Sequence, residues 1–253
     1  MSIVAALCPG CLFIDGLTGD TGDTPGDCPF VAGDAPGDVP AGCFFMGCAP
    51  GDNCNGDESR GRTVELSAFT IDVTEVTVAD FRACVSAGSC TTPGCQYDAS
   101  RDRYPVGCVN WSQADAYCRW KGGHLATEAQ WEKAARGTDG RIYPWGNDEP
   151  TCERAKSAGC LPGGSVEVGG RPSGASPYGV QDLAGNVLEW TADWYGAYDA
   201  NATVNPTGAP SGSHRVMRGG GWSSDARDLR VGLRNGDGPG NQYESLGFRC
   251  VRP

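Results

Sequence analysis

The chain has 253 residues, of which 39 are glycine and 17 are proline, and its formal net charge is -11. This length allows one large irregular domain, and so much glycine and proline favours turns and long loops over a helical bundle. The acidic balance excludes nucleic acid and anionic membrane surfaces as partners, because both require clusters of Lys and Arg that neutralise phosphate.

The cysteine content indicates an oxidising compartment. Fourteen cysteines and only two histidines favour disulfides over zinc sites. We therefore expect an extracytoplasmic protein that is secreted, periplasmic or a cell-surface lipoprotein. Residues 1–7 are apolar but lack a basic region and are too short for a signal peptide or a membrane span, so no integral membrane span is expected. Cys8 and Cys11 have CxxC spacing, which indicates a structural disulfide or the remnant of a lipid-attachment site.

Residues 1–40 are predicted to form an acidic N-terminal arm or tether. Gly, Asp and Thr recur from residue 15 to residue 41 with few apolar side chains, a composition that remains solvated. A calcium-binding repeat is the alternative, but the ligand spacing of an EF-hand loop is absent. The compact domain is predicted to span residues 41–253.

The first half of this domain is predicted to contain two strands and three helices. Residues 43–47 and 64–73 read as strands, with alternating apolar residues in the second. Aromatic residues at helical spacing, among them Trp120 and Trp131, are expected to pack in the core. The helices, each about ten residues long, are expected to begin at a capping residue and stop at a glycine, from Thr77 to Gly88, Ser112 to Gly122 and Thr127 to Gly137.

Residues 176–195 combine a turn, two carboxylates and an aromatic-rich strand. Asp182 and Glu189 bracket a Gly-Asn turn, so their side chains and nearby carbonyl oxygens could bind a hard cation such as calcium. The alternative is a turn that enters a buried strand with both carboxylates solvated. Spacing alone leaves both interpretations open.

The last third is predicted to return to strands, at residues 215–222, 229–234 and 246–251. The polar segments between them, at 223–225 and 235–245, are long enough to form a recognition surface. No Ser/His/Asp triad can be assembled from the sequence. Cys152 and Cys160 close a short loop and are expected to form a disulfide because of their proximity, with further pairs drawn from Cys84, Cys90, Cys95 and Cys108.

Seven ordered motifs resemble those of the formylglycine-generating enzyme, or sulfatase-modifying-factor, family. They are residues 69–77, 104–111, 125–132, 143–147, 185–190 (GNVLEW), 218–222 (RGGGW) and 246–249. The resemblance covers residues 41–253 and implies a C-type-lectin-like α+β fold that is rich in loops and stabilised by disulfides. It also implies a Cys118–Cys250 bridge. The family's calcium site maps onto Asp182, Gly185, Val187 and Glu189, and we expect calcium to be structural.

The family's enzymes oxidise a sulfatase cysteine to formylglycine with two cysteines, copper and oxygen. The first of these cysteines falls where this chain has Ser224, and the second falls in a segment that is several residues shorter here. Copper is not expected, because Cu(I) requires thiolate ligands and Ser224 and Asp225 offer only oxygen. A histidine-rich iron site, as in the ergothioneine-synthesis relatives, is not expected either, since His124 and His214 are too few.

We therefore predict an exported, non-catalytic ligand-binding or accessory module. Its C-terminal loops at residues 222–245 would form a groove for a protein, peptide or glycan, unless Trp222 is buried beneath the turn. The alternatives are a formylglycine-generating oxidase, a cell-surface structural protein that self-associates, and a variable ligand-binding protein of a diversity-generating retroelement. The predicted groove residues are Trp222, Ser223, Ser224, Asp225, Arg227 and Tyr243.

Overall fold

The computed structural model describes residues 28–49, 51–52, 54, 56, 58, 61–95 and 97–253. Cys8, Cys11 and most of the predicted arm lie outside these residues. The described part contains short strands and three α-helices joined by long loops, which confirms the predicted α+β, loop-rich fold. None of its helices is long and apolar enough to cross a membrane.

Side-chain caps fix the starts of all three helices in the described part. Thr77 caps α1 (Val78–Ser86) and Thr127 caps α3 (Glu128–Arg136), as predicted. Helix α2 (Trp111–Trp120) begins earlier than the predicted Ser112, because Asn110 and Gln113 form a reciprocal capping box. Trp120 at the end of α2 is 39% exposed, so its predicted burial is wrong.

The described strands form three sheets. The first has the order β1 (Asp38–Val39), β4 (Phe69–Ile71), β10 (Cys250–Arg252) and β5 (His124–Leu125), and the second pairs β2 (Gly42–Met46) with β3 (Arg62–Leu66). The third has the order β8 (Asn235–Asp237), β7 (Arg215–Arg218), β6 (Leu188–Trp194) and β9 (Leu246–Phe248). Strand β6 lies antiparallel to β7 and parallel to β9, which aligns Glu189 with Arg218 and Gly247.

Four predicted strands differ from the observed structure. The one at 246–251 is two strands, β9 and β10, in different sheets, and the one at 215–222 ends at Arg218. The expected strand at 64–73 is two strands, β3 and β4, which pair in different sheets on either side of the exposed residues 67 and 68. The expected strand at 229–234 is wrong, because Ala226–Leu229 forms a 3-10 turn instead. Leu229, Val231 and Leu233 are nevertheless buried. The alternation of apolar residues in this segment therefore indicates burial and does not indicate a strand.

The apolar core consists mainly of two clusters that meet along the central strands. One surrounds Trp131 of α3, and the other contains Trp190 of β6 with Phe81 and Phe248. Both tryptophan side chains are almost fully buried. The core therefore holds α3 and β6, the two elements that carry most of the buried charge described below, in a fixed relation.

Six disulfides join all twelve cysteines of the described residues. Cys118 bridges Cys250 at a sequence separation of 132, and Cys152 bridges Cys160. Because Cys28 bridges Cys43 and β1 pairs with β4, the residues from 28 to 40 are part of the folded domain and not of a free arm, so the boundary at 41 is too late. The remaining bridges are Cys48–Cys54, Cys84–Cys90 and Cys95–Cys108.

Candidate functional site: a surface groove and a buried carboxylate cluster

A groove with a volume of about 260 Å³ opens beside Trp222, and we call it the Trp222 groove. The loop closed by the Cys95–Cys108 disulfide forms one wall. The polar and aromatic side chains at its lining belong to Tyr97, Asp98, Arg101, Tyr104, Ser165, Trp222 and Glu244. Aromatic faces and charges of both signs therefore line the same depression.

Backbone contacts hold the walls of the Trp222 groove together. The N–H of Cys108 donates to the carbonyl of Tyr243 at 2.8 Å, and the N–H of Trp222 donates to the carbonyl of Asn186 at 2.8 Å. A Cβ at Gly107 would lie 2.4 Å from the carbonyl oxygen of Glu244, so glycine permits this close approach. The groove is thus assembled from segments that are distant in sequence, at 97–108, 164–165, 222 and 244.

The predicted groove residues do not form one surface. Ser223, Asp225, Arg227 and Tyr243 are exposed, and Trp222 is half-buried at the groove wall. Of the six, only Trp222 lines the Trp222 groove, where it lies with Glu244, and the buried residues 229–234 take no part in that lining. Sequence reasoning also missed the wall at 97–104, although the family motif that includes Tyr104 lies there.

Ser224, which the family resemblance matches to the first catalytic cysteine, is held in a turn. The Ser224 hydroxyl accepts a hydrogen bond from the N–H of Gly221 at 3.0 Å, and the Ser224 carbonyl accepts one from Ala158 at 2.9 Å. Every cysteine of the described residues is in a disulfide, including Cys108 at the groove wall. The groove of the described structure therefore contains no thiol that could replace the missing pair.

The predicted calcium ligands lie on one turn that leads into β6. Asp182 has a φ of 59° and its carboxylate accepts from the N–H of Gly169 at 2.6 Å. A Cβ at Gly185 would lie 2.2 Å from the carbonyl oxygen of Lys156, so the turn requires glycine there. The carboxylate of Glu189 accepts two hydrogen bonds from Arg249, both at 2.7 Å.

Glu75 adds a buried carboxylate to this turn. One of its oxygens accepts from the Asn186 side chain at 3.2 Å, and the other is buried with no hydrogen-bond partner. Burial raises the pKa of Glu75 well above its ordinary value, and the charge of Asp182 raises it further, against the attraction of Arg249. Burial also raises the pKa of Asp182. We call Glu75, Asp182, Glu189 and Arg249 the Glu75 cluster.

The Glu75 cluster carries more negative than positive charge, although within the described residues its three carboxylates do not converge closely enough to form a ready cation site. It contains three carboxylates and one guanidinium, and an oxygen of Glu75 is buried without a partner. Calcium accepts oxygen ligands in flexible geometry, including carboxylates and backbone carbonyls. Sequence reasoning missed Glu75 as a member, although it lies in the motif at 69–77.

A second buried group of charges surrounds the third helix, and we call it the α3 cluster (Glu128, Glu132, Arg136, Arg218 and Arg234). Glu132 contacts both Arg136 and Arg218, and Glu128 accepts hydrogen bonds from Arg234 at 2.6 and 2.8 Å. Burial alone would raise the pKa of Glu128, but Arg234 and Arg218 together hold it below its ordinary value. Each carboxylate of this cluster is neutralised by at least one guanidinium.

Comparison with known proteins agrees with this fold. The family model of the sulfatase-modifying factor enzyme 1-like domain matches residues 37–253. The formylglycine-generating enzyme of Streptomyces coelicolor is 32% identical over 84% of this chain and 87% of its own length. The inactive C-alpha-formylglycine-generating enzyme 2 of Mus musculus is 31% identical over 84% of each chain. The structure of PvdO from Pseudomonas aeruginosa has a TM-score of 0.75 and 25% identity, covering 91% of this chain and 99% of that chain. The chain belongs to the sulfatase-modifying factor enzyme 1-like domain family.

Proposed function

We propose that this domain binds a ligand in the Trp222 groove and does not carry out the oxidase reaction of the formylglycine-generating enzymes. The observation that carries the proposal is that Ser224, which the resemblance matches to the first catalytic cysteine, presents a hydroxyl bound by the N–H of Gly221 and not a thiol. Copper has no role in this function, because a soft Cu(I) ion requires thiolates. A relative named as inactive gives a precedent for loss of the reaction in this family.

The groove lining favours a short peptide or a glycan as the ligand. Tyr97, Tyr104 and Trp222 offer aromatic surface, which contributes much of the contact area in protein recognition sites. Arg101 and Glu244 supply charges of opposite sign at the same lining, and these can orient polar groups of the ligand. A peptide or a sugar chain presents both apolar and hydrogen-bonding groups, and so it matches this mixture.

Calcium is proposed as a structural ion of the Glu75 cluster. Asp182 and Glu189, with the main-chain oxygens of Gly185 and Val187, would hold it, and Glu75 would add negative charge beside it. The N–H of Trp222 donates to the carbonyl of Asn186, between two of these residues, so an ion that orders this turn also orders the groove wall. When bound, calcium supplies only positive charge and coordination, which offsets the repulsion between buried carboxylates.

The protein is also proposed to be exported as a secreted, periplasmic or lipid-anchored protein. Six disulfides within the described residues support this location, because such bridges form and persist in oxidising compartments. Fractionation of the producing cells, with a blot for this chain under non-reducing conditions, would test the location.

Binding to arrays of short peptides and oligosaccharides would test the proposed function. The wild-type protein should bind at least one class of probe, and Trp222→Ala should lose that binding because it removes the aromatic wall. Trp120→Ala is the matched control, since Trp120 is 39% exposed and lies outside the groove lining. Absence of binding to every probe, or equal binding by Trp222→Ala, would contradict the proposal.

A further inference from the structure

A second cavity, with a volume of about 390 Å³, lies between the start of α3, the end of β6 and the segment that follows β6. It shares no lining residue with the Trp222 groove. We call it the Asp193 cavity, and we call residues 197–210 the strap. The volume lies within the range of about 300 to 1,000 Å³ that small-ligand pockets occupy.

The strap is fixed by hydrogen bonds to β3, so the cavity is a built feature. The N–H of Glu65 donates to the carbonyl of Thr203 at 2.7 Å, and the N–H of Asn205 donates to the carbonyl of Glu65 at 2.8 Å. The side chain of Asn205 accepts from the N–H of Ser67 at 2.9 Å. These bonds hold the strap at the edge of the sheet, while Tyr198 joins its start to Glu128 of α3.

Asp193 gives the cavity a buried acceptor. Its side chain is 3% exposed, and one carboxylate oxygen accepts from the N–H of Glu128 at 2.7 Å. A Cβ added at Gly208 would lie 2.7 Å from the other oxygen. Glycine in the strap therefore lets the backbone approach this carboxylate without displacing it.

Arg62 brings a guanidinium to the lining of the cavity. Its guanidinium lies over the ring of Tyr198, 4.3 Å from the ring centroid, and its Nε is buried with no hydrogen-bond partner. A buried donor without a partner is costly, and such groups in native structures call for an explanation. The Tyr198 hydroxyl donates to Glu128 at 3.1 Å, which fixes the ring beneath Arg62.

We propose that the Asp193 cavity binds a neutral polyhydroxylated ligand of the size of a monosaccharide. A hydroxyl group both donates and accepts, so neighbouring hydroxyls can donate to Asp193 and accept from Arg62. Glu128 is paired with Arg234, and of the remaining charged side chains at the lining Asp193 and Asp199 are acidic and Arg62 is basic. This weakly acidic lining selects against an anionic ligand. This site is separate from the Trp222 groove, for which another ligand is proposed above.

Saturation-transfer NMR on the full chain would test this proposal, with glucose, galactose, mannose, N-acetylglucosamine and their methyl glycosides as probes. At least one of these sugars should bind. Arg62→Met should raise the Kd about tenfold, the effect expected for loss of a hydrogen bond to a charged group. Ala202→Leu, which adds volume from the strap, should abolish the signal.

Equal signals from a sugar and its methyl glycoside would assign the site to the terminal residue of a glycan, and a signal from the free sugar alone would assign it to monosaccharides.

Controls separate this cavity from the groove and from misfolding. Trp222→Ala should bind the sugars as the wild type does, since Trp222 lies outside the cavity lining. Each variant should melt cooperatively before it is used. The proposal is overturned if no sugar binds the folded wild-type protein, or if folded Arg62→Met and Ala202→Leu both bind as tightly as the wild type.

Discussion

The α3 cluster and the Glu75 cluster are both buried, but they differ in how completely the protein neutralises them. In the α3 cluster, Glu132 contacts two guanidiniums and Glu128 is paired with Arg234. In the Glu75 cluster, three carboxylates share Arg249, and the Glu75 carboxylate has an oxygen without a partner.

This difference separates two roles for buried charge. The pKa of Glu128 lies below its ordinary value because its guanidinium partners outweigh burial. Burial and the charge of Asp182 instead raise the pKa of Glu75. A cluster that is neutral by itself belongs to the scaffold, whereas one with excess negative charge requires protons or an external cation.

Removal of one cation from the α3 cluster should produce the largest effect. Arg218→Met leaves Glu132 and Glu128 buried without part of their neutralising charge, so the free energy of unfolding should fall by about 3 to 5 kcal/mol. Urea unfolding followed by tryptophan fluorescence would measure it. Arg82→Met, in the exposed Arg82–Asp102 pair, is the control and should leave the urea midpoint nearly unchanged. Equal effects of the two variants would show that the α3 cluster is not structural.

Calcium should stabilise the folded protein by binding at the Glu75 cluster. At a concentration about 100-fold above its Kd, calcium should stabilise the folded protein by about 3 kcal/mol, and a chelator should lower the Tm. Asp182→Ala should not respond, whereas Asp225→Ala, which changes an exposed carboxylate, should respond as the wild type does. Differential scanning fluorimetry with calcium, magnesium and chelator would measure this. An unchanged Tm in all three conditions would mean that the excess charge is neutralised by protons alone.

The carboxylate of Asp193 beside the α3 cluster should give a smaller, pH-dependent effect. Burial raises its pKa to about 7, and the charge of Glu128 adds to this, while the N–H of Glu128 and the charges of Arg234 and Arg215 oppose it. The folded state therefore keeps a proton that the unfolded chain releases near pH 4, and this contribution to stability is lost as pH rises through about 7.

Asp193→Asn removes that titration while it keeps an oxygen for the N–H of Glu128. The difference in unfolding free energy between variant and wild type should shift in favour of the variant by roughly 2 kcal/mol from pH 5 to pH 8. Urea unfolding at each pH would measure it, and other titrating groups cancel because both proteins contain them. A difference that is independent of pH would place the pKa of Asp193 near its ordinary value.

Local signals in the sequence predicted the elements that depend on local chemistry. Thr77 and Thr127 cap their helices as expected, because the hydroxyl and its amide partner lie within one turn. The predicted start of α2 is two residues late because Asn110 and Ser112 are both residue types that cap helices, and the sequence alone does not choose between them. The strand predicted within residues 176–195 is confirmed, since β6 follows the Gly-Asn turn.

Contacts between distant segments could not be predicted in the same way. Arg249 reaches Glu189 across 60 residues, and Arg230 reaches Glu58 across 172 residues. The same limit applies to the Trp222 groove, whose opposite wall at 97–104 is far from residue 222 in the chain. The family motifs located these residues individually, but their mutual contacts follow only from the fold.

The most direct test of a binding domain without oxidase chemistry is a conversion assay. The purified protein, with its disulfides intact, would be incubated with Cu(I), oxygen and a peptide that contains a sulfatase-type cysteine, and the peptide would be analysed by mass spectrometry. The formylglycine-generating enzyme of Streptomyces coelicolor would serve as the positive control. We expect the peptide to keep its cysteine, because Ser224 provides no thiolate for copper. Conversion of that cysteine to formylglycine would contradict the proposed function.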